Sequence, residues 1–246
     1  MADDGDPPSP LAAAVDGDPR LRYLRGPRRG LGANRNAALA AARASHVLFL
    51  DDDAMLSRSF LEHWRAALRS HPEPSRDRLI FTGGELQGAL RIYAGEQSFL
   101  GFQNRAYRPG EPRRTVVMNA AVFPRGLFRR VEFDEQLVYG YDEVDLTTRA
   151  VAAGYRIVFD PEALNEHRPS PINRSMYAQH VDASRLSVTL KRYWRTDHAP
   201  AKALAFGVCA PVHLLAANVK ARKATGIGDT GRTLVLTARH LRAGSP

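Results

Sequence analysis

Val47-Leu48-Phe49-Leu50 runs directly into Asp51-Asp52-Asp53, four apolar residues followed by three acids. An apolar run of that length, with an Ala-rich helical stretch before it and a second helical pattern after it, reads as a buried strand of an α/β sheet. Ligands of open α/β sheets lie beyond the carboxyl ends of the strands, so the three carboxylates stand where chemistry is usually done. Like charges this close repel unless a cation sits among them, and Mg2+ or Mn2+ favours such oxygen ligands. The triplet is therefore read as a metal site, against the plainer alternative of an acidic solvated loop. An EF-hand is the weaker reading, because Met55 and Leu56 fall where that loop needs an oxygen ligand and a glycine.

The surrounding pattern extends the α/β reading. Leu21 to Leu24 alternates as a strand does, and the Gly30-Leu31-Gly32 loop leads into a helix over 33–44. That loop superficially matches a dinucleotide-binding fingerprint, but Arg35 occupies the third glycine position. Arg35 and Asn36 sit instead in a first helical turn, near donors that suit an anion. Phe60, Leu61, Trp64 and Leu68 form one apolar stripe on the next helix. Strands are expected at 79–82, ended by Gly83-Gly84, at 90–93 and at 115–123, with a long loop over 94–114. Pro124 is expected to open a short helix to Arg130. A second acidic cluster, Tyr139 to Leu146, starts a helix running to about Ala153 with Gly154 as its C-cap. A strand over 155–159 stops at Asp160-Pro161, and His167 follows in a loop.

Charge is divided unevenly along the 246 residues. Residues 1–167 carry 22 Lys and Arg against 23 Asp and Glu, whereas residues 168–246 carry 13 against 3. The whole excess of positive charge is C-terminal, which suits an anionic membrane surface or a phosphate-bearing acceptor on a neutral catalytic body. No helix-turn-helix, zinc-finger or RNA-binding signature points to nucleic acid. The lone Cys209 excludes an internal disulfide and leaves the redox compartment open, with a reducing cytoplasm as the default.

Taken in order, these motifs resemble the inverting family 2 glycosyltransferases of the GT-A fold. The matching residues are Asp3-Asp4-Gly5, Gly32 with Arg35-Asn36, Asp51-Asp52-Asp53, Asn119, Phe133-Asp134-Glu135, Asp142-Glu143-Val144-Asp145-Leu146 with Arg149, Gly154-Tyr155 and His167. The resemblance covers roughly the first 167 residues. It implies a GT-A, Rossmann-like α/β sheet flanked by helices over 1–170, with a basic helical appendage over 171–246. It also implies transfer of a sugar from a nucleotide-sugar donor to a hydroxyl acceptor, on a glycan or a lipid-linked or cell-envelope carrier. Asp4, Arg35, Asn36, Asp52 and Asn119 would bind the donor. Asp53, with Asp51 and His167, would hold Mg2+ or Mn2+ on its diphosphate, where the ion offsets charge on the leaving group. The acceptor hydroxyl needs a general base. The family's Glu-Asp pair is reversed here, so alignment puts Glu143 in that place and leaves Asp142 as the alternative.

Two departures qualify this expectation. The family's opening strand-helix-strand unit is represented only by its last residues, which leads to the expectation of an N-terminally truncated sequence. Together with the reversed acids, this keeps a catalytically impaired pseudoenzyme or interaction module as the alternative. Within the basic part, a helix is expected over 173–195. Residues 203–219 then form seventeen positions without Asp, Glu, Lys or Arg, followed by Lys220, Arg222 and Lys223. That pattern belongs to an interfacial helix more than to a membrane span, and it suggests peripheral contact with the inner face of a membrane, with plain packing against the core as the alternative.

Overall fold

A computed structural model describes residues 1–6, 9–15, 18–169 and 174–242. The expected domain boundary at 170 and the first residue of the 173–195 helix lie outside the described residues. The elements, in chain order, begin with β1 (Ala2–Asp3), α1 (Leu11–Val15), β2 (Leu24–Arg25), α2 (Leu31–Ala41), β3 (His46–Leu48), β4 (Ala54–Met55), α3 (Arg58–Arg69) and α4 (Glu73–Arg76). There follow β5 (Leu79–Gln87), β6 (Leu90–Ile92), β7 (Ala121–Pro124), α5 (Asp142–Ala152), β8 (Arg156–His167), α6 (Ala178–Lys191), α7 (Pro200–Arg222) and α8 (Thr225–Arg242).

Six strands form a mixed sheet in the order β3-β7-β5-β8-β4, with β6 paired to the end of β5. The central β5 pairs parallel with β8 and antiparallel with β7. Side chains alternate across it as a strand's period of two requires. Ile80 faces a core of Phe49, Phe123, Phe128, Phe133, Leu146 and Tyr155. Leu79 and Phe81 face the other side, where Phe60, Leu61, Trp64 and Leu68 of α3 cover the sheet as the stripe predicts. Among the described residues β3 pairs only with β7, while β1 and β2 make a separate parallel pair.

Two strands run through residues that normally end one. The expected 79–82 strand continues to Gln87, because Gly83 and Gly84 let neighbours approach where no side chain would fit. A Cβ on Gly83 would lie 1.8 Å from the Ala163 carbonyl oxygen, and one on Gly84 would lie 2.6 Å from the Tyr93 ring. The expected 155–159 strand likewise continues past Asp160-Pro161 to His167. Its pairing with β5 passes from Thr82 opposite Phe159 to Gly84 opposite Leu164, so residues 160–163 bulge out and the ladder resumes beyond them. His167 therefore ends a strand instead of lying in a loop.

Smaller differences have local causes. The expected 115–123 strand is broken by a 3-10 turn at Met118–Ala120, which turns Asn119 inward. Pro124 closes β7, and a 3-10 turn over Arg125–Arg129 follows in place of the expected helix. The helix expected over 173–195 is α6 followed by a π turn, Arg192–Thr196, in which Asp197 N–H donates to Arg192 O at 2.8 Å.

The C-terminal helices are tied to the loops of the preceding α/β part by buried charge. Lys191 Nζ donates to Asp134 Oδ2 at 2.7 Å, and Arg192 Nη1 to Glu96 Oε1 at 2.8 Å, all four side chains being buried. Arg185, also buried, donates to the Leu100 carbonyl at 2.6 Å, and Tyr193 Oη to Phe99 O at 3.0 Å. The bonds to Glu96, Phe99 and Leu100 fix the first part of the 94–114 loop, which folds back on itself through a bridge between Glu96 and Arg105.

Candidate active site

The acids at the end of β3 sort into two groups. Asp51 turns toward α2 and β7: Arg35 Nη2 donates to its Oδ1 at 3.3 Å, and its backbone N–H donates to Asn119 Oδ1 at 2.8 Å. The same buried Arg35 pairs with Asp142 at the start of α5, and its guanidinium lies 5.6 Å from the centre of the Phe133 ring. One cation thus bridges an acid from each end of the site. Asn119 completes this side by donating from Nδ2 to Glu85 Oε1 at 3.1 Å, and it is itself held by Asn165, whose Nδ2 donates to the Asn119 carbonyl at 2.7 Å.

Asp53 belongs to the second group. Opposite β4, the bulged end of β8 brings His167 beside it, with Nε2 at 3.2 Å from Asp53 Oδ1. The other ring nitrogen, Nδ1, is 2.6 Å from Glu85 Oε2. A carboxylate accepting from Nδ1–H keeps the ring proton on that nitrogen and turns the Nε2 lone pair outward, an arrangement that orients metal-binding histidines. His167 Nε2 is buried and accepts no hydrogen bond. An orphaned imidazole nitrogen facing a carboxylate is a donor set that fits a divalent cation. Among the described residues, however, no three His, Cys, Asp or Glu side chains are arranged around one point as a ready metal site. The expected Asp51-Asp53-His167 set is linked through a chain of contacts: Asn119 Nδ2 donates to Asp51 Oδ2 at 3.3 Å and to Glu85, which in turn holds His167 beside Asp53.

Asp142 and Glu143 open α5 immediately after Gly140 and Tyr141, both left-handed with φ of 76° and 63°. Strained backbone at a bulky residue such as Tyr141 persists only where packing enforces it. Asp142 is engaged by Arg35. Glu143 is not, and its Oε1 accepts from Gln103 of the 94–114 loop at 3.3 Å. Burial, with the charge of Asp142 added, raises the Glu143 carboxyl to about 7. The two acids of the pair are therefore in different states, one bound to a cation and one poised to exchange a proton near neutrality.

The remaining expected residues are more scattered. Asp52 is exposed at the turn between the two groups. Asp4 accepts from the Arg28 backbone N–H at 2.9 Å, in a crevice kept open by Gly26, where a Cβ would lie 2.1 Å from Asp4 Oδ1. Asn34 Oδ1 opens into the same crevice, buried and without a partner. Asn36 does not face the acids; its amide bonds both backbone groups of Phe133 and so positions the Phe133-Asp134-Glu135 segment. Sequence reasoning missed Glu85, Gln103 and Asn165. Glu85 alone left a trace, as the single charged residue of the strand Leu79–Gln87.

A mixed sheet with acids and a cation-bridged carboxylate at its strand ends is the arrangement that the sequence resemblance implies. The family model for glycosyl transferase family 2 matches residues 1–131, more than half of the chain, and the protein belongs to that family. Similar solved structures include Staphylococcus aureus TarS 1-349, with 15% identity and a TM-score of 0.53 over 94% of this chain and 75% of that one. The complex of that fragment with UDP-GlcNAc has 12% identity and a TM-score of 0.55, covering 94% of this chain and 76% of that one. GalNAc-T7 with UDP, GalNAc and Mn2+ has 14% identity and a TM-score of 0.54, over 92% of this chain and 46% of that one. At these identities the likeness is one of fold. The chain spans under half the length of intact TarS, at 46%. No protein with a curated function matches it. The chain thus has the GT-A fold of its family neighbours, with an α/β sheet and C-terminal helices as the sequence implies.

Proposed function

We propose that the protein transfers a sugar from a nucleotide-sugar donor to a hydroxyl acceptor with inversion at the anomeric carbon and with Mg2+ or Mn2+ bound. The observation that carries the reading is the division of labour between Asp142 and Glu143. Arg35 neutralises the first, which leaves the second free to take the acceptor's proton. A general base works best when its proton affinity lies near the working pH, and a carboxyl raised to about 7 meets that condition. The proton leaves the hydroxyl for Glu143 as the oxygen forms its bond to the anomeric carbon, and the bond to the nucleoside diphosphate breaks on the opposite face.

Asp53 and His167 would hold the divalent cation, with Glu85 fixing the imidazole. The cation supplies Lewis-acid stabilisation of the diphosphate leaving group. Asp51 and Asn119 form a hydrogen-bonded wall beside it, with Asp52 exposed toward the donor's ribose. Asp4 and Asn34, in the crevice at Gly26, offer acceptors for a nucleobase. The structures solved with UDP-GlcNAc, and with UDP, GalNAc and Mn2+, support a donor of this class and a divalent ion. A glycan or lipid-linked acceptor and a cytoplasmic location belong to the same reading, and the exposed, unpaired Cys209 suits a reducing compartment.

The test is a screen of UDP-, GDP- and dTDP-sugars with Mn2+ or Mg2+, with product anomers assigned by NMR. Metal-dependent nucleoside diphosphate release with inverted product supports the proposal. Equal turnover in EDTA, or retained configuration, overturns the corresponding part of it.

A further inference from the structure

The C-terminal helices carry an apolar surface that the catalytic reading does not use. Helix α7 is apolar on two opposed faces. Ala203, Phe206, Ala210 and Leu214 are buried against α6, the π turn and α8. On the far side, Leu204, Val208 and Val212 are 67%, 68% and 63% exposed, and Leu215 and Val219 continue the same stripe. The spacing of these five, at intervals of three and four, aligns them along one line of the helix. Large exposed aliphatic side chains in a continuous row mark an interaction surface.

At its N-terminal end the stripe enters a groove of about 460 Å3 lined by Leu190, Trp194, Leu204, Gly207, Val208 and Leu241, among others. The π turn creates its wall, since the extra residue in that turn brings out Trp194, 56% exposed, together with Arg195. Arg195 also lines a smaller, more polar hollow of about 130 Å3 on the other side of the π turn, beside Arg149, Lys191 and Arg192. Among the described residues Arg195 has no acidic partner. From His198 to Gly228 the chain contains no Asp or Glu, whereas Lys202, Lys220 and Lys223 punctuate the two ends of the stripe; Arg222, between the last two, pairs with Asp229 at 3.0 Å.

We infer that this face seats the protein on an anionic phospholipid bilayer, with an acyl chain entering the groove and its phosphate meeting Arg195. Charge complementarity selects that occupant. An aliphatic row alone would suit a second copy of the chain, but a copy would bring more positive charge to a surface already rich in it. An indole beside a cation at the rim is the composition that favours a membrane interface. Helix α7 is long and apolar enough to span a bilayer by composition, but its packed face, covered by neighbouring helices, leaves it lying in the plane of the surface. The inference draws on the C-terminal helices alone and does not depend on the transfer chemistry.

The test is co-sedimentation of the full chain with vesicles of equal parts phosphatidylglycerol and phosphatidylcholine at low salt. The wild type is expected to pellet with these vesicles, to be released as salt rises, and to stay in solution with phosphatidylcholine alone. Leu204→Asp with Val208→Asp replaces two exposed aliphatic contacts and is expected to lower the partition constant by about tenfold or more. Arg195→Glu is expected to weaken binding to the anionic vesicles. A blue shift of tryptophan emission on vesicle addition, absent in Trp194→Phe, gives a readout independent of the aspartate variants. A wild type that stays in solution with anionic vesicles at low salt overturns the inference. Undiminished binding of the double aspartate variant also overturns it, as does vesicle-free self-association abolished by the same substitutions.

Discussion

Glu143→Gln is the substitution whose consequences are most fully determined by the structure. Glutamine keeps the shape of the side chain and an oxygen to accept from Gln103, now 3.3 Å from Glu143 Oε1, and removes only the charge. The folded protein holds the Glu143 proton with an affinity of about 7, against 4.5 for an ordinary glutamate. At ~1.4 kcal/mol for each tenfold change in proton affinity, ionising this group costs the native state about 3 kcal/mol. Because the acid is raised in the folded state, the cost is absent below about pH 4.5, grows between that value and about 7, and is complete above it. The glutamine variant is therefore expected to be more stable than the wild type at pH 8, by up to about 3 kcal/mol in urea unfolding, and to show no advantage at pH 4.5. Activity moves the other way. Wild-type kcat should rise with pH to a plateau above about 7, while the variant loses on the order of two to four decades of kcat with donor Kd little changed. A variant that turns over at the wild-type rate would transfer the base role to Asp142. One that is no more stable at pH 8 would refute the electrostatic argument itself.

Other outcomes follow from the same geometry. Glu85→Gln leaves Asp53 and His167 in place but removes the carboxylate that orients the imidazole, so Mn2+ binding measured by titration calorimetry should weaken by roughly 10- to 100-fold; unchanged affinity would locate the cation elsewhere. Lys191→Met strips a buried cation from Asp134 and should cost about 3 to 5 kcal/mol in chemical unfolding; a loss below about 1 kcal/mol would mean the pair is solvated. Gly83→Ala places a methyl carbon 1.8 Å from the Ala163 oxygen, and a loss on the order of 3 kcal/mol or failure to fold is expected; a stable, active variant would refute the close approach of β5 and β8.

Much of the fold was legible where one signal dominated. The stripe of α3 and the acids and Gly154 at the two ends of α5 each speak for themselves in the sequence, whereas the apolar run before Asp51, expected to be a buried strand, is the half-buried β3 at the end of the sheet order, with Leu50 exposed beyond it. Glycine and proline misled where tertiary contact overrides their local meaning. Gly83-Gly84 and Pro161 read as strand ends, but the first pair admits a neighbouring backbone and the second sits in a bulge. Helix α8 gave no sequence signal, since Gly226, Gly228, Gly231 and several threonines weaken its intrinsic preference. Packing on α6 and α7 supplies what propensity lacks, including a close approach in which a Cβ on Gly226 would stand 2.3 Å from the Asn218 oxygen. At the site, the acids and Arg35 could be read from order and spacing. The chain of contacts that links Asp51 to Asp53 could not, because it depends on Asn119, Asn165 and Glu85, three polar residues whose partners are more than thirty positions away.

The bulge in β8 makes the active site depend on a count. Between Phe159 and Leu164 the strand advances five residues while β5 advances two, and only after that offset do Asn165 and His167 stand on the face that holds Asn119 and Glu85. Successive side chains of a strand alternate faces, so an insertion or deletion of a single residue within 160–163 inverts both at once. Such a change would spare every residue named in the site and still separate His167 from Glu85 and Asp53. In descendants of this chain, the amino acids of that segment are free to drift on its exposed side, but its length is held to odd or even by the chemistry at its end.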